Sequence, residues 1–373
     1  MRATEIRRTR RVDESGREGD RAPLPLLTAA IPGTGGRIRT EPEDFVVAEI
    51  PAYEPAGEGE HLFLEIEKRG RTTDDVRRAL AKRIGARQDD IGVAGLKDKH
   101  AVTTQWMSVP GKLLSEQDAT ELGLDGVRVL QARRHRNKLR TGHLRGNRFT
   151  ITIRGVSEGA LAHARTCVAR IVGEGVPNYY GEQRFGHRGE TVALGLSLLT
   201  GGDVGSPPDS SGASRTRRVD KGMRRLALSA VQSALFNRLL ADRIEEGRAH
   251  RIELGDVMQV VASGGAFVAE DLDREQSRFD RREIVPAGPM IGPKMLPAEG
   301  EPGRREATAL AEAGLEMSDF ARHGKLLLGA RRPYLIWPDG MEVDGEGDRI
   351  RVRFSLPAGA YATVVLREIM KTD

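Results

Sequence analysis

Apolar positions along the chain recur with two periods, and the changes between them mark its elements. "DFVVAEI", residues 44 to 50, has the composition of a strand and is closed by Pro51. In "HLFLEIEK", Leu62, Leu64 and Ile66 alternate with Phe63, Glu65 and Glu67, the period of two of a half-buried strand. "RTTDDVRRALAKRIG" shifts to the helical period: Val76, Ala79, Leu80 and Ile84 share a face, Thr72 or Thr73 caps the start and Gly85 ends it. "DIGVAGLKDK" predicts a short apolar strand that leaves Asp98 at its end or in the loop beyond. Further strands are predicted at "VRVLQA" and at "FTITIRG", where Phe149, Ile151 and Ile153 share a face. A helix follows from about Ser157, with Leu161, Ala164, Val168 and Ile171 in register. Near the C-terminus, "RIRVRFSLPAG" alternates Ile350, Val352 and Phe354 with arginines, and "AYATVVLREIM" is helical.

The middle differs. From about residue 175 to 336 the helical period dominates, most clearly where Leu228, Val231, Leu235 and Leu239 form one stripe. Residues 201 to 222 have the composition of a flexible loop, and residues 1 to 25 that of a charged, disordered tail. The expected class is α/β, in the α+β sense. A mixed or antiparallel sheet domain of residues 26–174 plus 337–373 is interrupted by an inserted, mainly helical domain of residues 175–336. A chain of 373 residues fits two cores better than one.

Composition narrows the class of protein. With 38% hydrophobic and 30% charged residues the chain reads as a water-soluble globular protein. Its longest apolar runs are broken by Arg, Ser, Gln and Asn, well short of the roughly 20 residues of a membrane span. The Arg-rich N-terminus has no apolar core of a signal peptide, which predicts a cytoplasmic location. Cys167 is the only cysteine, so intrachain disulfides and multi-cysteine metal clusters are excluded, and it reads as a small core residue. The net charge of +5 is modest but unevenly spread. "RRHRNKLRTGHLRGNR", residues 133 to 148, holds seven Arg or Lys and no acid. Such a run is either a solvated surface or a phosphate-binding one.

Several chemistries are absent from the sequence: no P-loop, no dinucleotide glycine motif, no H-E-x-x-H, no G-x-S-x-G elbow. One cysteine cannot supply the zinc site of a base deaminase. Acid, base and hydroxyl chemistry without a cofactor remains. In "GLKDKHAVTTQW", Asp98 stands between Lys97 and Lys99. Flanking ammonium groups favour a charged carboxylate and attract a polyanion, so Asp98 suits a nucleophile or general base; a surface acid in a charged turn is the alternative. His100 beside it reads as a structural loop histidine.

"GVAGLKDKHAVTTQW" resembles the signature of the TruD family of tRNA pseudouridine synthases. "EPEDFVVAEI" with "GEGEHLFLEIEKRG", the basic "RRHRNKLRTGHLRGNRFTI", "GVPNYYGEQRFG", "ALSAVQSALFNRLL" and "RFSLPAGAYATVVLRE" are similar to further family blocks, in family order. The likeness runs from about residue 38 to 369. It implies isomerisation of uridine 13 of tRNA to pseudouridine, with tRNA as partner, no cofactor and no metal. Asp98 matches the family's catalytic aspartate, attacking the ribose C1′ or abstracting the 2′ proton beneath an unstacked nucleotide. Phe45 matches a substrate-contacting aromatic, Asn147 a substrate-binding asparagine and Phe149 an aromatic nearby. Tyr361 stands where relatives often carry Phe, and Lys97 suits a phosphate or the aspartate itself. For Phe45 and Phe149 the alternative is core packing, and for Asn147 a turn role. Arg133, Arg134, Arg136, Lys138 and Arg140 are the expected RNA contacts. Arg184 is expected to reach phosphate or a neighbour of Asp98 from a structural corner. The protein is expected to be a monomer without membrane contact. Two other readings stay open: an RNA clamp or chaperone in which Asp98 is incidental, and a carboxylate-nucleophile phosphohydrolase. The second aspartate such a hydrolase needs, two residues on, is missing.

Overall fold

The computed structural model describes residues 23–201 and 219–372, so the tail before residue 23 and residues 202–218 of the expected loop lie outside the described residues. The described chain divides into two compact units. One comprises residues 28–176 with 337–372, the other residues 23–27 with 177–336.

The first unit is built on one mixed sheet. Its strands are β1 (Phe45–Pro51), β2 (His61–Arg69), β3 (Gly92–Val93), β4 (Val102–Pro110), β5 (Val127–His135) and β6 (Leu144–Arg154), with Asp339–Glu346 and Arg349–Pro357 from the C-terminal region. The order is 339–346, 349–357, β6, β1, β4, β2, β5, and β3 pairs with β4. β1 and β4 run parallel; the other neighbours are antiparallel. Helix α1 (Thr73–Ile84) is capped by Thr72, whose hydroxyl accepts from the Asp75 amide, and ends at Gly85 in the left-handed region. Its apolar stripe of Val76, Leu80 and Ala81 packs on Leu62, Leu64, Ile66 and Met107. The predicted helix after Ser157 spans Ala160–Glu174, and the last helix spans Ala362–Met370. Cys167 is a buried free thiol, as its apolar position implies.

β4 is not visible in the apolar pattern. Its buried positions include Thr103, Gln105 and Ser108, and their polarity hides the strand period. Two find partners from other segments: Gln105 Oε1 accepts from the Thr73 hydroxyl at 2.9 Å, and Ser108 Oγ from the Leu139 amide at 2.9 Å. Register then aligns the residues that matter. Glu49 on β1 faces Asn147 on β6, Val47 faces Phe149, and Asn147 and Phe149 in turn face Leu356 and Phe354. Gly146 is required at this junction, because a Cβ there would lie 2.2 Å from the Leu356 carbonyl oxygen.

In the second unit helices prevail, with Glu190–Thr200, Lys221–Glu245, Leu272–Asp280, Gly300–Glu312 and Met317–Ala321. The stripe Leu228, Val231, Leu235 and Leu239 on the long helix is buried as the period predicts. A four-stranded antiparallel sheet also occurs, in the order Ala330–Pro333, Ile284–Met290, Val257–Val260, Ala266–Val268. Its inner strand, "IVPAGPM", is punctuated by Pro286 and Pro289, which conceal it from a propensity reading. No described helix is long and apolar enough to cross a membrane.

Candidate active site

Asp98 lies in the loop between β3 and β4, which is held by Lys68 of β2, Glu49 of β1 and Arg39 of the segment before β1. Lys68 stands at the inward phase of β2, four residues after Leu64, and is 1% exposed. Its ammonium donates to the carbonyl oxygen of Arg71 at 2.6 Å and to that of Asp98 itself at 2.7 Å. Lys97 is held from two sides. Its amide donates to Thr73 Oγ1 at 2.8 Å, and its ammonium meets Glu49 Oε2 at 2.8 Å in a pair whose side chains are 6% and 1% exposed. The other Glu49 oxygen accepts from the Trp106 amide at 3.3 Å. The Asp98 carboxylate is half-exposed, with Oδ2 2.9 Å from Arg39 Nη2. The Arg39 guanidinium lies 4.3 Å from the centre of the Phe45 ring. Arg39 has φ +59°, the left-handed region that non-glycine residues occupy at a cost. A strained backbone that aims a cation at a half-open carboxylate is the kind of outlier that marks a working site.

The cations that hold Asp98 are therefore not its chain neighbours. Lys97 turns inward, its ammonium paired with Glu49, and Lys99 is exposed. Arg39, Lys68 and Glu49 take the structural work instead. A signal for two of them exists in the sequence. Lys68 continues the parity of Leu62, Leu64 and Ile66, and Glu49 that of Phe45 and Val47, so each is a charge where an apolar residue is due. Burial pushes the Lys68 ammonium down to about 8, opposed by the Asp98 charge and assisted by that of Lys97.

Behind Arg39 the sheet supplies a ring layer that begins at Phe45. Phe45 meets Phe149 edge to face at 6.3 Å, and Phe149 stacks on Phe354 at 5.4 Å. Phe45 and Phe149 are both buried, so core packing accounts for most of their surface. Asn147 is half-buried and its Oδ1 is a buried acceptor without a hydrogen-bond partner among the described residues. Tyr361 is the N-cap residue of helix Ala362–Met370 and is partly buried.

The basic block is partly committed to structure. Arg133 and Arg134 lie on edge strand β5, opposite Phe63 and Leu62. Arg136 pairs with Glu58 through an Nε contact of 3.1 Å, and Lys138 Nζ donates to the Asp89 carbonyl. Arg133 and Arg140 are exposed. The loop from 136 to 143 is tied to the Asp98 segment: the Gly142 amide donates to the Ala94 carbonyl at 2.8 Å, and Leu139 packs with Ala94, Trp106 and Phe63. In the second unit, Arg184 Nη2 donates to Ser229 Oγ at 2.9 Å and its guanidinium lies 5.7 Å from the Tyr180 ring centre. Asn237 accepts from the Tyr180 amide and donates to the Tyr180 carbonyl, so "NYYGEQRFG" forms a built corner. Within that corner Arg184 meets the Ser229 and Ser233 hydroxyls and the Tyr180 ring.

The model of the family described as tRNA pseudouridine synthase D (TruD) matches residues 24–206 and 204–369. The chain belongs to the TruD family of tRNA pseudouridine synthases. It is 48% identical over 350 residues to the tRNA pseudouridine synthase D of Anaeromyxobacter dehalogenans, covering 94% of this chain and 97% of that one. With the enzyme of that name from Thermus thermophilus it shares 43% identity over 351 residues, or 94% and 92% of the two chains. A Methanosarcina mazei crystal structure described as a putative tRNA pseudouridine synthase D superposes with a TM-score of 0.75 at 26% identity, covering 94% and 97%. Membership of the TruD family makes the mixed-sheet unit part of a pseudouridine synthase fold and the chain a tRNA-modifying isomerase.

Proposed function

We propose that this chain isomerises uridine 13 of tRNA to pseudouridine, with Asp98 as the reacting carboxylate. The observation that carries the proposal is the setting of Asp98: half-open to solvent, oriented by Arg39, on a loop clamped to the sheet by buried Lys68 and Lys97. Preorganised groups of this kind lower a barrier because no reorganisation is left for the reaction itself. A carboxylate so held can add to the ribose C1′ as uracil leaves, or take the 2′ proton. Either route frees the base to rotate and rejoin through C5, which releases the carboxylate or returns the 2′ proton, while C5 loses its proton and N1 gains one.

Asn147 fits a reader of that base. A buried acceptor left unpaired costs about 1–3 kcal/mol, and an imide N–H of uracil is a donor that would satisfy it. Phe45 serves chiefly by carrying Arg39, while Tyr361 is left to face the ring of the substrate. Arg133 and Arg140, exposed and close in sequence to the loop tied to the Asp98 segment, suit phosphates of the RNA stem. The inserted domain of residues 175–336 is assigned to gripping the tRNA body, with a monomer working in the cytoplasm.

The experiment is pseudouridine mapping of unmodified tRNA transcripts incubated in EDTA with wild type and with Asp98→Asn. Product at position 13 with wild type alone is expected. Product from Asp98→Asn, or product only at other positions, overturns the reading.

A further inference from the structure

Lys68 is the buried cation that the reaction does not use directly. Fully buried lysines are rare and normally meet a carboxylate. This one spends its ammonium on two main-chain carbonyls, Arg71 O at 2.6 Å and Asp98 O at 2.7 Å, from two different loops. The first leaves β2 toward α1; the second carries the reacting group. The residue before Asp98 is tied by the Thr73 hydroxyl and by Glu49, and the carboxylate by Arg39. The Asp98 carbonyl is the remaining handle on that loop, and Lys68 holds it.

We propose that Lys68 is the positioning residue of Asp98: its buried ammonium ties the Asp98 peptide to the loop after β2 and so fixes where the carboxylate stands. The proposal rests on Asp98 being the reacting group. Lys68 itself touches no substrate. Its side chain enters from β2 on the sheet face covered by α1, and the charged groups that face it are Asp98, Lys97 and Asp75. Arg39 lies beyond Asp98. A methionine would fill the same buried position with less desolvation, so stability does not explain a lysine there. Losing the proton would remove one N–H and turn two charge-assisted hydrogen bonds into ordinary ones, roughly half as strong. Burial brings that change to a pH of about 8.

The test compares wild type, Lys68→Met, Lys68→Arg and Asp98→Asn in pseudouridine formation on a tRNA transcript, from about pH 6 to 9.5. Hydrogen exchange of the 95–101 peptide is measured on the same proteins. A misplacement near 1 Å costs about 10²-fold in rate. Lys68→Met is therefore expected to lose about 30- to 100-fold in kcat with KM within about threefold, and to exchange faster at 97–99. Lys68→Arg should recover part of the rate. The wild-type rate should fall as pH rises through about 8, a limb absent from Lys68→Met. A folded Lys68→Met with wild-type kcat beside an inactive Asp98→Asn overturns the proposal. An active Asp98→Asn overturns the role of Asp98 first and this one with it. If Lys68→Met does not fold, Lys68→Gln takes its place: wild-type kcat together with wild-type exchange at 97–99 in that variant refutes the clamp.

Discussion

Replacing Lys97 by methionine tests how the Asp98 loop is anchored. The Lys97 ammonium and Glu49 carboxylate are 2.8 Å apart, both almost fully buried. At an effective dielectric constant near 20 their attraction is about 6 kcal/mol, by 332/(20 × 2.8). Removing two ions from water costs several kcal/mol each, so the intact pair contributes little net stability. One-sided removal is another matter. Lys97→Met leaves Glu49 buried with the Trp106 amide as its hydrogen-bond donor, and an uncompensated buried charge costs about 3–5 kcal/mol.

The double variant Lys97→Met, Glu49→Leu removes both charges and should recover most of that loss. The two single costs then fail to add, with a coupling of about 2–3 kcal/mol. Urea denaturation followed by tryptophan fluorescence reads the change where it arises, because Trp106 lies on β4 beside Glu49. If Lys97→Met unfolds within about 1 kcal/mol of wild type, water reaches Glu49 and the buried-pair argument is wrong. If the double variant is as unstable as the sum of the singles, the pair is not the anchor.

Gly146→Ala should lose about 3 kcal/mol or more in the same denaturation assay, since its Cβ would press on the Leu356 carbonyl from 2.2 Å. Gly155→Ala, at φ +66° with open space around it, should lose only about 1 kcal/mol. At Arg39 the bond to Asp98 is single, so Arg39→Lys should keep the rate within about tenfold, whereas Arg39→Ala should lose about 10²-fold in kcat. Equal loss in both variants would mean that the guanidinium's rest on Phe45, and not its charge, is what counts.

How much of this is legible in the sequence depends on whether a residue's partners are its chain neighbours. α1 is read from its own residues: the Thr72 cap, the stripe at 76 and 80, and the Gly85 stop all lie within one window. β1, β2 and β6 are likewise announced by their apolar residues. β4 fails the same test because Thr103, Gln105 and Ser108 are buried polar residues, and the last two bond to Thr73 and Leu139, at sequence separations of 32 and 31. Asp98 stands out by its flanking lysines, and the resemblance of its motif singles it out from an ordinary surface acid. The arrangement around it is not, because Arg39 reaches Asp98 across 59 residues and Glu49 reaches Lys97 across 48, set by the register of β1 against β4.

That failure is itself informative. A sheet face that alternates cleanly would bury Leu at 68, Val at 49 and Val at 105, and would be more stable for it. This one buries Lys68, Glu49, Thr103 and Gln105 along neighbouring strands, with Asn147 half-buried at the end of the track. Gln105 bonds Thr73, Thr73 bonds the Lys97 amide, Lys97 bonds Glu49, and Lys68 bonds Asp98. The first three links fix Lys97, the fourth fixes the Asp98 peptide beside it, and both lead to a half-open carboxylate. A polar track of this kind costs folding free energy wherever it runs, so it is expected only where position matters more than stability. The carboxylate that this track leaves open to water is that of Asp98, and the order built into its surroundings is what the proposed role of Asp98 as the reacting group requires.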